Sequence, residues 1–469
     1  MRYLLFLFLF CLLPFADFAT TIRCSNAEYA EKELHFYKLS DPISGEEELV
    51  FTLKFDAAGT CAAEIKNTQT VYTFCEFGVY RGMLFLEPGK TIDLRLPPFR
   101  EKSFANEKNP YFQPVSFWFI SETKDQLNDK ISAFEQELNR LTDKQFNQLY
   151  FKQSKTVYDS VQMQLNTAFP ETTPEAFVNH KKLEVALTKA DIFRLRPEDY
   201  SEIFDKIKPE YWTHQAFTTA FEKTFDRQLS FSAKAIHGKE VNTAVLKQDI
   251  QALLSFTKTK YKVSGDMAEL VLLKLLHDGF YSGDFPKAAI KNMVNSDLFI
   301  KNSNQTIRTA AKNISTKFSF LQPGEPAPKI CLTALSGKQS CTNNTASKFK
   351  YIVFADVETV VCQEHLKYLS RVNELFNKHL EIFVVMRDTG DEGIKKFFNE
   401  HEVPGTKMID KANKYVERYE IRSFPQCFLL NEKHNVVFSD TKAPLDGFEQ
   451  QFGAYLQKEL FMRQRNQTR

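Results

Sequence analysis

Tyr351-Ile-Val-Phe-Ala355, continued by Asp356-Val-Glu-Thr359-Val-Val-Cys362, is the segment from which the architecture of this chain unfolds. Four consecutive β-branched or aromatic residues followed by an alanine predict a strand buried on both faces, and the pattern that follows predicts a helix from about Thr359 to His379. Downstream, Leu380 to Met386 reads as a second buried strand and Asp391 to Glu400 as a helix. A short strand near Lys407-Met408, a helix from Asn413 to Tyr419, strands at Gln426–Leu430 and Asn435–Phe438, and a last helix from Leu445 to Leu460 complete the series. Upstream, Ile330 to Cys341 predicts a hairpin turning at Ser336-Gly337. Strands and helices in this order predict an α/β sandwich around a mixed sheet. Its start is marked by Gln322-Pro-Gly-Glu-Pro-Ala-Pro328, where three prolines in six residues stop any preceding helix.

Several motifs here resemble one family. The Pro-Gly-Glu-Pro-Ala-Pro linker, the Leu-Ser-Gly-Lys turn, the strand before a helix-opening cysteine, and Tyr419-Glu-Ile-Arg-Ser-Phe-Pro-Gln-Cys-Phe-Leu-Leu430 are similar to the TlpA/ResA-like branch of the thioredoxin superfamily, over roughly residues 322–465. The resemblance implies a thioredoxin-like fold and thiol-disulfide chemistry. It also puts Pro425 at the family's cis-proline, whose backbone, with Phe424 before it, would pair with a substrate polypeptide. The regions upstream resemble those that precede this module in multidomain envelope proteins of Bacteroidetes, through their architecture and the segment Met83-Leu-Phe-Leu-Glu-Pro-Gly89.

The sequence departs from the family where its chemistry resides. The resemblance implies Cys-x-x-Cys at the strand-to-helix turn, but this chain has Thr359-Val360-Val361-Cys362, with Glu358 in place of the usual tryptophan. Disulfide exchange needs an exposed thiolate, favoured at a helix N-terminus, and a second thiol to resolve the mixed disulfide. A threonine hydroxyl supplies neither, whereas Thr is a preferred helix N-cap. Cys362, one turn into the helix, corresponds to the family's buried second cysteine, and the nearby acids Asp356, Glu358 and Glu364 oppose its ionisation. The expectation is a thioredoxin-like domain whose dithiol site has degenerated, acting in polypeptide binding or scaffolding.

The alternative is an enzyme that uses Cys362 alone, as a peroxidase or a disulfide oxidoreductase. Thr-x-x-Cys also resembles the peroxiredoxin motif, although Ala355 stands where that pattern has proline and no arginine is found at the cis-proline site. His365, one turn after Cys362, is either a base for this chemistry or a solvated helix residue. Cys427, two residues beyond Pro425, faces the same side as the proline, and it either reaches Cys362 as an unusual redox partner or is a second buried thiol.

The remaining cysteines occupy the two ends of the chain. Cys61 and Cys75 flank a polar stretch around Asn67-Thr-Gln69 symmetrically, which predicts a hairpin with a cross-strand disulfide. Cys331 and Cys341 flank the Ser336-Gly337 turn in the same way and predict a second one. Cys24 has no evident partner. Pairing is expected because Met1-Arg2 and the apolar run Tyr3 to Phe15 have the charge and length of a secretory signal, residues 1–19, too short to span a bilayer comfortably. The protein is therefore expected in the periplasm or cell envelope, with no membrane span in the mature chain.

The rest of the chain predicts a multidomain α+β protein. Alternating runs such as Leu49 to Phe55 and Thr91 to Leu96, separated by Ala58-Gly59 and Pro88-Gly89, predict a small β-sheet domain over 20–105. Between Gly89 and Gly238 there is no glycine, and amphipathic segments such as Asp125–Leu141, Pro174–Leu195 and Lys239–Phe256 predict an all-α domain over 110–318, packed through Trp118, Trp212 and many Phe. A chain of 469 residues accommodates the three domains. With 61 Lys+Arg against 59 Asp+Glu, the even charge balance excludes a nucleic-acid-binding theme. No Gly-rich phosphate loop, HExxH, EF-hand loop or paired Cys/His spacing occurs, so no cofactor or metal is implied.

Overall fold

The computed structural model describes residues 19–109, 111–121, 127–171, 174–236, 238–343 and 348–467. The signal segment expected at the N-terminus, residues 1–18, lies outside them. Among the described residues no helix is long and apolar enough to cross a membrane. The chain divides into two compact units: the described residues up to Asn106 with Gln113–Ser315, and Glu107–Phe112 with everything from Thr316 onwards.

The first unit begins with a β-sandwich. One sheet has β1 (Ala19–Ser25), β4 (Thr60–Lys66), β7 (Thr91–Arg95) and β9 (Ile120–Ser121) in the order β4-β1-β7-β9. The other has β2 (Glu33–Leu39), β3 (Glu47–Lys54), β5 (Val71–Phe77), β6 (Tyr80–Leu86) and β8 (Val115–Trp118) in the order β3-β2-β5-β6-β8. Strand alternation explains the packing. Ile22, Cys24, Ile92 and Leu94 from the first sheet meet Leu34, Phe36, Cys75, Phe77, Leu84 and Leu86 from the second. On the outer face of the second sheet, Tyr72, Phe74, Met83 and Phe85 pack on the helices Leu127–Lys144, Lys155–Ala168 and Glu175–Phe193. Strands β5 and β6 are thus covered on both faces, so their sequences read as nearly unbroken apolar runs. Gly82 permits this density, since a β-carbon there would lie 2.3 Å from the Phe119 ring.

Two expectations are corrected in this unit. Strands β8 and β9 complete both sheets from within the stretch expected to be all-helical, and Trp118 is a strand residue there, stacked on Phe85 at 5.5 Å. The Cys61–Cys75 hairpin does not form, because β4 and β5 belong to different sheets. Asn67 directs the crossing: its side-chain oxygen accepts from Thr20 N (3.2 Å) and Thr20 Oγ1 (2.8 Å), and its amide donates to Leu86 O (3.3 Å). A buried amide so fully engaged holds the chain between the sheets rather than in a tight turn. Cys61 and Cys75 remain thiols.

Beyond the first three long helices, the expected helix Lys239–Phe256 is two, Gly238–Lys247 and Ile250–Tyr261. Gln248 is left-handed (φ 55°) and Asp249 caps the second helix by accepting from Ala252 N at 3.0 Å. The helix Gly265–Ser282 is buried on most of its circumference. Even Lys274 on it is enclosed, held by Glu222 (2.6 Å) and Asp278 (2.8 Å). His214 is enclosed too, with the Phe85 ring 4.9 Å away, and burial pushes its imidazole down to about 3.

In the second unit a four-stranded sheet has the order β14-β13-β12-β15, from β12 (Phe349–Ala355), β13 (Leu380–Arg387), β14 (Thr406–Asp410) and β15 (Gln426–Leu430). β12 is parallel to β13 and antiparallel to β15. One face carries the helices Val360–Phe376 and Phe448–Gln467 against Phe349, Tyr351, Val353 and Ala355. The other meets Ile330, Tyr415 and Tyr419 through Ile352, Phe354, Phe383 and Phe428. The hairpin β10 (Cys331–Thr333) and β11 (Gln339–Cys341) precedes the sheet, turning through Gly337 at φ 81°. The strand expected at Asn435–Phe438 is reduced to isolated bridges, Val436 to Leu430 and Asn435 to Pro326.

The state of His214 sets an acid limit. Its pKa is 6.5 in an open chain and about 3 when folded, so between those values the unfolded chain binds more protons. Stability contributed by the neutral ring is complete above 6.5 and is lost as pH falls towards 3. Urea unfolding of the wild type and of His214→Gln between pH 7 and pH 4 is expected to show a steeper acid loss in the wild type.

Candidate functional site

The site is assembled where β12 ends and the helix Val360–Phe376 begins. Asp356, fully buried, accepts Glu358 N (3.0 Å) on Oδ1 and faces the Arg387 guanidinium across 3.5 Å on Oδ2. The backbone tightens as Thr359 N donates to Asp356 O at 3.2 Å. Thr359 occupies the N-cap position, but its hydroxyl does not cap: it donates to Asp356 O (3.0 Å). The first two helical residues, Val360 and Val361, are 70% and 59% exposed, whereas Cys362 is 0% exposed.

Helical geometry explains the contrast. The turn aims residue 362 at the sheet, where Cys362 joins Val353, Ala355 and Leu366, and leaves 360 and 361 in solvent. Cys427 lies in the same cluster at the start of β15. Burial pushes its thiol up to about 12, and the neighbouring Cys362 opposes its charge. Tyr351 bonds to this thiol, and its hydroxyl also donates to Lys442 O at 2.8 Å. Two thiols thus share one apolar pocket, and burial there favours the neutral form of Cys427.

His365 corrects the expectation of a solvated helix residue. It is 6% exposed, its Nδ1 accepts from Leu445 N (3.2 Å), and burial lowers its pKa. The ring therefore ties the helix to the loop at Pro444–Asp446 as a neutral acceptor. On the other side of Cys427, the Phe424–Pro425 peptide is cis. Glu420, Arg422, Ser423, Pro425, Gln426 and Asp446 contribute to the lining of an open recess of about 700 Å³. Phe424 is half-buried, with the Arg387 guanidinium 5.7 Å from its ring centre.

Residues 322–452 match the family model Redoxin. Among curated proteins, the thiol-disulfide oxidoreductase ResA of Bacillus thuringiensis (strain Al Hakam) is 27% identical over 136 residues, which are 27% of this chain and 77% of that protein. ResA of Bacillus cereus (strain ZK / E33L) is 26% identical over 138 residues, 28% of this chain and 78% of the relative. These residues form a TlpA/ResA-like thioredoxin-superfamily domain. Among solved structures, the thioredoxin domain of a thiol-disulfide oxidoreductase from Bacteroides vulgatus is 23% identical, covering 27% of this chain and 94% of that one with a TM-score of 0.26.

The hairpin of the thioredoxin-like domain holds a disulfide between Cys331 and Cys341, which face each other across β10 and β11 with Cα atoms 4.2 Å apart. Sequence reading missed the Asp356–Arg387 pair, because its members are far apart in the chain, on β12's exit and the end of β13. It also missed a polar cluster in the first unit: His180 Nε2 lies 3.0 Å from Glu135 Oε1, whose other oxygen accepts from Trp118 Nε1 at 2.8 Å, and Glu184 lies beside them. Only β8 packing on two helices brings these together.

Two consequences are measurable. Replacing Cys331 and Cys341 together by Ser reopens a ten-residue separation and is expected to cost the thioredoxin-like domain about 2–3 kcal/mol in urea unfolding. Arg387→Ala, which strips a half-buried partner from a buried carboxylate, is expected to destabilise the same transition by about 2 kcal/mol and to relax the turn before Val360.

Proposed function

We propose that this is an exported cell-envelope protein whose thioredoxin-like domain binds polypeptide and has given up dithiol exchange. The observation that carries the reading is the division of labour at the turn: Glu358, Val360 and Val361 are exposed, Thr359 is half-buried, and both nearby thiols, Cys362 and Cys427, are withdrawn from water. A substrate disulfide meets no exposed thiol at the helix start, and burial holds the Cys427 thiol protonated. Against this stands a surface suited to an extended chain. Exposed valines at the helix start and Leu445, 49% exposed, offer apolar contacts, while the recess beside Pro425 offers backbone and mixed charges. Export is supported by the charged and apolar N-terminal run, and the envelope is the compartment in which the hairpin disulfide would persist.

The decisive experiment is thiol mapping of the protein with a maleimide, native and then denatured, with a brief peroxide exposure in parallel. Cys362 labelled only after denaturation and untouched by peroxide is the expected result. Rapid native labelling, with oxidation to a sulfenic acid or a Cys362–Cys427 bond, would instead establish a redox enzyme working through Cys362. Restoring the missing thiol with Thr359→Cys is expected to confer insulin reductase activity that the wild type lacks.

Binding has its own readout. A reduced, carboxymethylated unfolded protein used as a fluorescent probe is expected to bind the wild type, and the double variant Val360→Asp, Val361→Asp to bind about tenfold more weakly, the loss of roughly one buried apolar side chain. Unchanged affinity in a folded variant would remove the helix start from the binding surface.

A further inference from the structure

Cys24 and Cys61 are directly opposite each other. In the antiparallel pair of β1 and β4 the register sets Cys24 against Cys61, with Ser25 against Thr60 beyond it. Both side chains point to the inner face of the sandwich and both are 6% exposed. Facing residues in an antiparallel ladder have Cα atoms about 4.5–5.5 Å apart, inside the range of roughly 4.4–6.8 Å that a disulfide spans. The chain supplies its own precedent, since Cys331 and Cys341 face each other across β10 and β11 in the same relation and are bonded.

We propose that Cys24 and Cys61 form a second cross-strand disulfide, made by exchange with a small-molecule or protein disulfide. The two sulfurs already lie within hydrogen-bonding reach, and the bond from Cys24 lowers the Cys61 pKa, which makes Cys61 the first nucleophile. Cys61 sits on the edge strand of its sheet, and both cysteines border a surface recess of about 360 Å³ with Arg23, Thr60 and Asp93, so opening of the edge strand brings their sulfurs to an incoming disulfide.

The exchange balances without any other reactant. The Cys61 thiolate attacks one sulfur of the incoming disulfide, a Cys61 mixed disulfide forms, and the first leaving thiolate departs. The Cys24 thiolate then attacks the Cys61 sulfur and releases the second. The two cysteines are oxidised by two electrons, the incoming disulfide is reduced by two, and the two cysteine protons end on the two released thiols. Cys75 is the losing competitor: it lies in the opposite sheet, and burial raises its thiol pKa, which makes it a poor nucleophile.

The bond has a structural consequence beyond the two strands it joins. Between Cys24 and Cys61 the chain runs through β2 and β3 of the other sheet, so the closed loop contains strands of both layers of the sandwich. It would hold the edge strand β4 in place and fasten the layers against each other.

The test is peptide mapping of the full chain equilibrated in glutathione buffers, acid-quenched and alkylated, with the Cys331–Cys341 bond as internal control. The expected product is a Cys24-to-Cys61 cross-linked peptide under oxidising buffer, with Cys75 alkylated once the protein is denatured. Cys24→Ser should stop the sequence at a glutathionylated Cys61, and Cys75→Ser should leave the cross-link unchanged. Separate alkylation of Cys24 and Cys61 while the control bond is intact overturns the proposal, as does a Cys61-to-Cys75 cross-link. The outcome is independent of the thiol reactivity of Cys362, because the cysteines lie in different units and are mapped on different peptides.

Discussion

Every residue of β12 from Phe349 to Ala355 is withdrawn from water, and the second unit is organised around that burial. With apolar groups on both faces, β12 must lie between two layers, so the sheet takes helices on one side and the hairpin with Tyr415 and Tyr419 on the other. Because side chains alternate, the register of β12 determines which layer Val353 and Ala355 face, and hence what Cys362 packs against. Even Lys350 is enclosed, reaching Glu432 O at 3.2 Å to satisfy its ammonium. The reactivity of the turn is therefore decided one element upstream. A cysteine at 362 has the sheet as its neighbour, whereas Glu358, Val360 and Val361 face water.

The same logic of double coverage governs the first unit. β5 and β6 present Cys75, Leu84 and Leu86 to the sandwich and Tyr72, Phe74, Met83 and Phe85 to the helices. The sheet between is a shared wall, and the β-sandwich and helices form one packed body rather than two independent ones. This accounts for the enclosed polar groups at the wall. Asn128 reaches from its helix to bond Phe85 N at 2.7 Å and Phe85 O at 2.9 Å, and Glu135 serves Trp118 and His180 together. Buried polar groups of this kind are tolerated only when satisfied, and they fix one register of helix on sheet.

The cysteines divide by environment rather than by sequence spacing. Cys331 and Cys341 pair because a short hairpin puts them opposite each other. Cys61 and Cys75, with the same symmetry about a polar stretch, do not, because Asn67 is claimed by Thr20 and Leu86 before a turn can close. Symmetric spacing signals a hairpin only when both strands stay in one sheet. Cys362 and Cys427 illustrate the opposite case, in which residues distant in sequence share a pocket, and burial there suppresses the ionisation of Cys427.

Local pattern carries a great deal here because much of this fold is periodic. The buried strands at 351–355 and 380–386, the helix opening near Thr359, the Ser336-Gly337 turn and the three-proline linker are all dictated by short-range residue chemistry, as is the absence of a cysteine at 359. Short or non-periodic elements were not legible in this way. β8 and β9 are too brief to signal themselves, Asn435–Phe438 has strand-like residues but finds only single bridges, and the helix break at Gln248–Asp249 depends on one left-handed residue and one cap. Pairing across the chain, as between Cys24 and Cys61, Asp356 and Arg387, or His180 and Glu135, was beyond reach of any local pattern. Sequence by itself determines where strands and helices form, because that depends on neighbours within a few positions. Which residues become partners, and which thiols meet water, is decided only when the layers close, because burial and sheet register belong to the whole packed unit.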